Sequence, residues 1–340
     1  IIDILAIIAT VMGIATSIGL GIMQIGGGLN HLFDVPNNNF TKILITILMV
    51  AIFLGSSLTG LNHGVKWLSN LNILLGAILL IFILIFGDLK FILESYTLAI
   101  SDYLQHFIEY SLRVNPYSGD DSWIQQWTVF YWAWVISWSP FIGGFVARVS
   151  RGRTIREFVV GVLIIPPLIS FTWIAGFGGT AIKLALNHND KLVHIVDKDY
   201  TVALFELLSH FPLSEVTSSL AIVLIFIFIV TSADSTTHIV AGMATGGSIN
   251  PTLKHKVLWG LLIGAISVAM TIAGGLKSLQ TASVITGLPF SIILLLMIFS
   301  LMRALKREPI HHFKMTSIDD EKDYSISLEE REKQDEQDNK

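Results

Sequence analysis

The chain has 340 residues, of which 52% are hydrophobic and 14% charged, with a net charge of −4 and a mean hydropathy of +0.66. A soluble domain carries about 25% charged residues because its surface meets water, so this composition excludes an ordinary soluble protein and points to one facing lipid. The absence of cysteine removes disulfides, thiolate metal sites and cysteine nucleophiles, and no basic excess invites nucleic acid.

A membrane-spanning helix needs about 20 largely apolar residues. The sequence predicts eight, at roughly 4–28, 43–59, 71–87, 123–145, 159–181, 218–238, 257–274 and 282–302. Nothing shows the alternation of a membrane barrel, so the expected class is an all-α polytopic membrane protein. Ile1 opens inside an apolar stretch without a basic leader, and the chain is expected to lack its true start. Arg148, Arg151, Arg153 and Arg156 follow the fourth span, which places that end in the cytoplasm. Alternation then puts residue 1, Lys66, Lys254, Lys256, Arg303 and the tail inside. Within the outer segment 89–122, apolar residues at near-helical spacing over 96–114 predict an amphipathic helix lying at the interface. The tail 308–340 is acidic and poor in apolar residues, and is expected to be disordered or only locally helical. Its His311-His312 pair is too isolated to read as a metal site.

The fourth span holds the most informative residues. Trp127, Tyr131, Trp134, Trp138 and Phe141 recur every three or four positions, which sets five aromatics on one helix face. Ser139-Pro140 and Gly143-Gly144 follow, and proline removes a backbone donor. Two readings stand. One is a broken helix lining a cavity whose indole faces hold a quaternary ammonium ion, which has no N–H to donate. The other is an aromatic belt at the membrane surface. That second reading suits Trp123 and Trp127 better than Trp134 and Trp138.

In the sixth span, Phe228, Thr231, Ser232, Asp234, Ser235, Thr236, Thr237 and His238 gather hydroxyls and carbonyls. These are ligands for a hard monovalent cation, or small residues that let helices approach closely. An intramembrane carboxylate such as Asp234 is costly and rarely idle; a structural or gating role is expected of it. The glycines at 19, 21, 26, 27 and 28 have neither a preceding strand nor a following lysine, so they read as a helix-packing surface. No hydrolase triad or HExxH pattern appears, so no enzyme activity is expected.

The run WTVFYWAWVISWSPFIGGFVARVSRGRTIREF, with ATVMGIATSIGLGIMQIGGGLN and IVTSADSTTHIV, resembles the betaine/choline/carnitine transporter family up to the start of the tail. The resemblance implies an inverted-repeat fold of five helices plus five, present here in part. Residues 1–88 would be the last three helices of the first repeat, 89–122 the outer helix and loop, 123–307 a complete second repeat and 308–340 the cytoplasmic tail. It implies sodium-coupled import of glycine betaine or choline across the cell membrane for osmoprotection, with no cofactor beyond the coupling ion and assembly as a homotrimer in lipid. A transport-inactive osmolyte sensor and a proton-coupled choline or carnitine carrier are the alternatives. It places Trp132, Trp134, Trp138 and Phe141 at the substrate, with Val135 where members often carry a further tryptophan. The Phe228 carbonyl and the Thr231 and Ser232 hydroxyls would bind sodium. Thr10 matches a second sodium site whose usual partner is Ile14 here. Arg148, Arg151, Arg153 and Arg156 would form a gating or lipid-binding cytoplasmic segment. The remaining walls of the site would lie on helices preceding this chain.

Overall fold

The computed structural model describes residues 2–58, 64–114, 122–150, 152–188, 190–248 and 250–307. The first long helix, α1 (Ile2–Phe33), is the axis on which the rest is built. Its buried face carries Val11, Ile14, Ile18, Ile22 and Ile25, which join Met49 and Phe53 of α2 (Asn39–Leu58) and Ile229, Val230 and Ala233 of α11 (Ser214–Ala244) in one apolar core. The glycines of α1 let neighbours come close. A Cβ at Gly21 would overlap the Ile229 side chain, and one at Gly28 the Phe205 ring. The packing reading of the glycine run therefore holds.

A second core joins Leu79, Phe82 and Ile83 of α3 (Gly64–Phe86) to Phe177, to Phe205, Leu207 and Leu208 of α10 (Ala203–Ser209), and to Ala221 of α11. Phe177 belongs to a π-turn, Ile174–Gly179, between α7 (Ile155–Trp173) and α8 (Thr180–His188). No residue of α7 is buried. The short α9 (Asp190–Lys198) completes the segment before α10. Helix α4 (Leu89–Gln105) starts earlier than the sequence predicted, because Asp88 accepts from the Phe91 amide and caps it. It breaks at His106, and α5 (Phe107–Ser111) follows.

Asp88 also binds Lys183 of α8, whose ammonium lies 4.6 Å from the centre of the Phe91 ring. The hydrogen bond from Lys183, then that from the Phe91 amide, lowers the Asp88 pKa below its ordinary value of 3.8. A depressed carboxylate pKa stabilises the fold above the unfolded value and loses that contribution as pH falls through the folded one. Proteolytic resistance of α4 is therefore expected to stay flat at neutral and mildly acidic pH and to fall only below about pH 4. Asp88→Asn should lower it at neutral and mildly acidic pH and abolish the fall below about pH 4; resistance that declines already at neutral pH would count against the clamp.

Among the described residues, seven helices are long and apolar enough to cross a membrane. The last, α12 (Leu253–Arg307), has 55 residues. At 1.5 Å per residue it would run about 80 Å against a hydrocarbon core of about 30 Å. Gly275, at φ 55° and ψ −134°, breaks it, so 253–274 and 276–307 correspond to the seventh and eighth predicted spans. The chain is an all-α polytopic membrane protein. Everything from Ile1 to Ile293 forms one unit; of the second, Leu294–Lys340, the structure describes a helix to Arg307 with exposed Leu295, Leu296 and Phe299. The predicted tail 308–340 lies outside the described residues.

Candidate functional site

The fourth span differs from expectation in two ways. It begins with a π-turn, Ile124–Val129, and continues as α6 (Phe130–Val149) straight through Pro140. Pro140 has no N–H for the Ile136 carbonyl one turn back. The Ser139 hydroxyl donates to that carbonyl instead, at 2.7 Å. The expected unwinding at Ser139-Pro140 is absent because a neighbouring side chain replaces the missing donor.

The five aromatics also part company. Trp123, Trp127, Thr128, Tyr131, Trp132 and Val135 line an open-sided cavity of about 590 Å³. Trp127 stacks near Tyr131, with ring centres 6.2 Å apart and planes 20° from parallel. Trp132 is 56% exposed on this face. Trp134 turns towards α1, where its indole N–H donates to the Gly13 carbonyl at 3.1 Å and the Ser17 hydroxyl at 3.2 Å. It stacks flat on Phe130 at 5.6 Å and stands behind Tyr131 at 5.7 Å. The Trp138 indole nitrogen is buried without a hydrogen-bond partner among the described residues, and Phe141 is buried. Of the four predicted substrate residues only Trp132 lines the cavity.

Behind this wall runs a buried polar seam. The Thr16 hydroxyl meets the Leu279 carbonyl and the Ser283 hydroxyl, and Ser137 donates to the Ser283 carbonyl at 3.0 Å. Each is fully buried, so α1, α6 and the Leu279–Ser283 turn of α12 are held in one register.

On α11 the Thr231 hydroxyl lies 3.0 Å from both the Ile227 and Phe228 carbonyls. Phe228 is 61% exposed, while Asp234 and Thr237 are buried. The Phe228 carbonyl and Thr231 hydroxyl are therefore adjacent on a partly open face, with the next residue, Ser232, half-buried. Hydroxyl and carbonyl oxygens of this kind fit a hard monovalent cation. Asn72 of α3, with its amide oriented to satisfy its neighbours, donates to the Leu224 carbonyl at 3.2 Å and accepts from the Phe228 N–H at 3.1 Å. Its side chain thus bridges the two groups of one α11 turn, a recognised cause of local helix distortion. Thr10 is buried on α1, and its hydroxyl has no partner among the described residues, so no hydrogen bond ties it to Thr231 or Ser232.

A sequence model described as "BCCT, betaine/carnitine/choline family transporter" matches residues 1–310. The chain belongs to the betaine/carnitine/choline transporter family. Among its relatives, an ectoine/hydroxyectoine transporter of Virgibacillus pantothenticus is 51% identical over 306 residues, covering 90% of this chain and 61% of that protein. The glycine betaine transporter OpuD of Bacillus subtilis (strain 168) is 43% identical over 308 residues, covering 90% and 60%. The osmo-independent choline transporter BetT1 of Acinetobacter baylyi is 36% identical over 313 residues, again covering 90% and 60%. The chain spans about three-fifths of the length of these curated relatives.

The family is described as one of transporters. Arg153 is exposed in the link between α6 and α7 and Arg156 in the first turn of α7, where Thr154 and Glu157 cap the helix reciprocally. Arg151 and the Arg148 side chain lie outside the described residues. Sequence reasoning missed Asn72 altogether, since one asparagine in an apolar span carries no local pattern. It also set Trp134, Trp138 and Phe141 on the cavity face, whereas the cavity is lined by the turns that carry Trp123, Trp127, Tyr131 and Trp132. The four-residue spacing of Trp123, Trp127, Tyr131 and Val135 was a signal that could have found the cavity.

Proposed function

We propose that the protein imports a small compatible solute carrying a quaternary or delocalised cation, driven by sodium, across the cell membrane with its basic α6–α7 link in the cytoplasm. The observation that carries this reading is the cavity on α6, walled by Trp123, Trp127, Tyr131 and Trp132 and free of any ionisable side chain other than the Tyr131 phenol. A fixed cation with no N–H can make no hydrogen bond to a carboxylate, whereas each indole face contributes about 0.5–2 kcal/mol. Sodium is a co-transported substrate in this scheme. It would bind the Phe228 carbonyl and the Thr231 and Ser232 hydroxyls, and α11 would transmit its arrival to α1 through their shared core.

A second substrate, ectoine, is favoured by Val135. Val135 lines the cavity where a tryptophan would narrow it, leaving space for a ring that carries a delocalised amidinium cation. The ectoine/hydroxyectoine transporter among the relatives points the same way.

The test is uptake of labelled glycine betaine, choline and ectoine by the full-length protein in cells lacking their own osmolyte carriers. Trp132→Ala is expected to raise KM about two- to fivefold, the loss of one exposed cation–π face. Wild-type affinity in that variant, or no uptake of any of the three by the wild type, would refute the reading. Val135→Trp should depress ectoine uptake more than betaine uptake.

A further inference from the structure

We propose that Gln280 is a positioning residue for the aromatic cavity, holding open the π-turn that brings Trp123 and Trp127 into line with Tyr131 and Val135. The inference rests on the cavity being the substrate site. Its four principal lining residues, 123, 127, 131 and 135, are each four positions apart. In an α-helix of 3.6 residues per turn, every four-residue step drifts about 40° around the axis, so three steps would carry Trp123 about 120° away from Val135. A π-turn rotates less per residue, because its bonds close over five residues instead of four, and so offsets the drift. The π-turn in this helix covers residues 124–129, the stretch between Trp123 and Phe130.

Such a turn is strained relative to the α-helix and persists where the surroundings specify it. The Gln280 side-chain amide donates to the main-chain carbonyl of Gln126, inside the turn, at 2.7 Å. The donor comes from another helix and is itself well placed. Gly275 turns the chain five residues earlier, and Leu279, next to Gln280, is fully buried with its carbonyl held by Thr16. Further along the same face Ser137 donates to the Ser283 carbonyl, and a Cβ on Gly287 would lie 2.6 Å from the Ala133 carbonyl. The stretch Leu279–Gly287 of α12 is thus a rail lying along α6, and Gln280 is the point at which it grips the irregular turn.

The 340 residues contain no cysteine, so a cysteine placed among them, with any cysteine outside them replaced by serine, reports local geometry. In the full-length protein, Thr128→Cys, on the cavity wall, should react with a hydrophilic maleimide and be protected by substrate. Adding Gln280→Leu should reduce its labelling rate and raise the uptake KM about five- to tenfold, the scale of one lost hydrogen bond, with maximal rate and protein level retained. Gln280→Lys keeps a donor at similar reach and should restore both. If Gln280→Leu leaves both the labelling of Thr128→Cys and KM within about twofold of the parent, the positioning role is wrong. The labelling rate speaks without any uptake. A wild type that carries none of the offered solutes, yet whose Thr128→Cys labelling falls in Gln280→Leu, would sink the transport reading and leave the positioning of the turn standing.

Discussion

Thr231→Ala should raise the sodium concentration needed for half-maximal uptake by about 10- to 100-fold while leaving the protein folded. A contact to a charged group is worth about 1.5–3 kcal/mol, and each 1.4 kcal/mol is a factor of ten in an equilibrium constant. The hydroxyl donates within its own helix, to the Ile227 and Phe228 carbonyls, and its lone pairs remain to meet a cation. Thr231→Val keeps the β-branched shape and should fail equally. Thr231→Ser keeps the oxygen and should recover most of the loss. The same logic extends to Asn72, which touches no predicted ligand side chain but joins the Leu224 carbonyl to the Phe228 amide. Asn72→Ala should move the sodium requirement in the same direction by a smaller factor, since it alters how the Phe228 peptide is held. Sodium titrations of uptake at fixed substrate measure all four variants. An unchanged half-saturation in Thr231→Ala, with the substrate KM also unchanged, removes Thr231 from the ion path.

Much of this molecule was readable before its structure. Long apolar runs dictate helices because no other form satisfies backbone groups in lipid, and all eight predicted spans correspond to helix, the last two as halves of α12 divided at Gly275. The glycine run of α1 reads as packing because Cβ atoms there would meet Ile229, Thr201 and Phe205. Side-chain direction was harder. A period of 3.6 set Trp127, Tyr131, Trp134, Trp138 and Phe141 on one face, yet the π-turn, the hydrogen bonds from Trp134 to α1 and the burial of Phe141 divide them between cavity and core. Pro140 signalled a break that Ser139 repairs with one hydrogen bond. A π-turn depends on a partner such as Gln280, which lies 154 positions away from Gln126, and no local pattern contains that information.

The largest structural effect is expected at Gly13, where α1 and α6 meet backbone to backbone. A Cβ there would lie 2.9 Å from the Trp138 amide nitrogen and 3.1 Å from the Ser137 carbonyl carbon. Main-chain atoms cannot turn aside as a side chain can, so the two helices must separate. Separation would lengthen the Trp134–Gly13 hydrogen bond and pull on the seam formed by Thr16, Ser137 and Ser283. Overpacking of this kind costs about 1–3 kcal/mol, and a buried polar seam left half-satisfied adds to it. Gly13→Val should therefore lower the melting temperature in detergent by roughly 2–10 °C. It should also weaken substrate binding, because Trp134 braces Tyr131 from behind. Gly143→Ala is the control, since nothing lies within 4 Å of its Cβ position and alanine is the better helix former by about 1 kcal/mol. Close approach at Gly13 predicts opposite signs for the two substitutions, whereas a general intolerance of larger residues in these helices predicts the same sign for both. Equal melting temperatures for Gly13→Val and Gly143→Ala would mean that the α1–α6 contact is not what holds the aromatic wall in place.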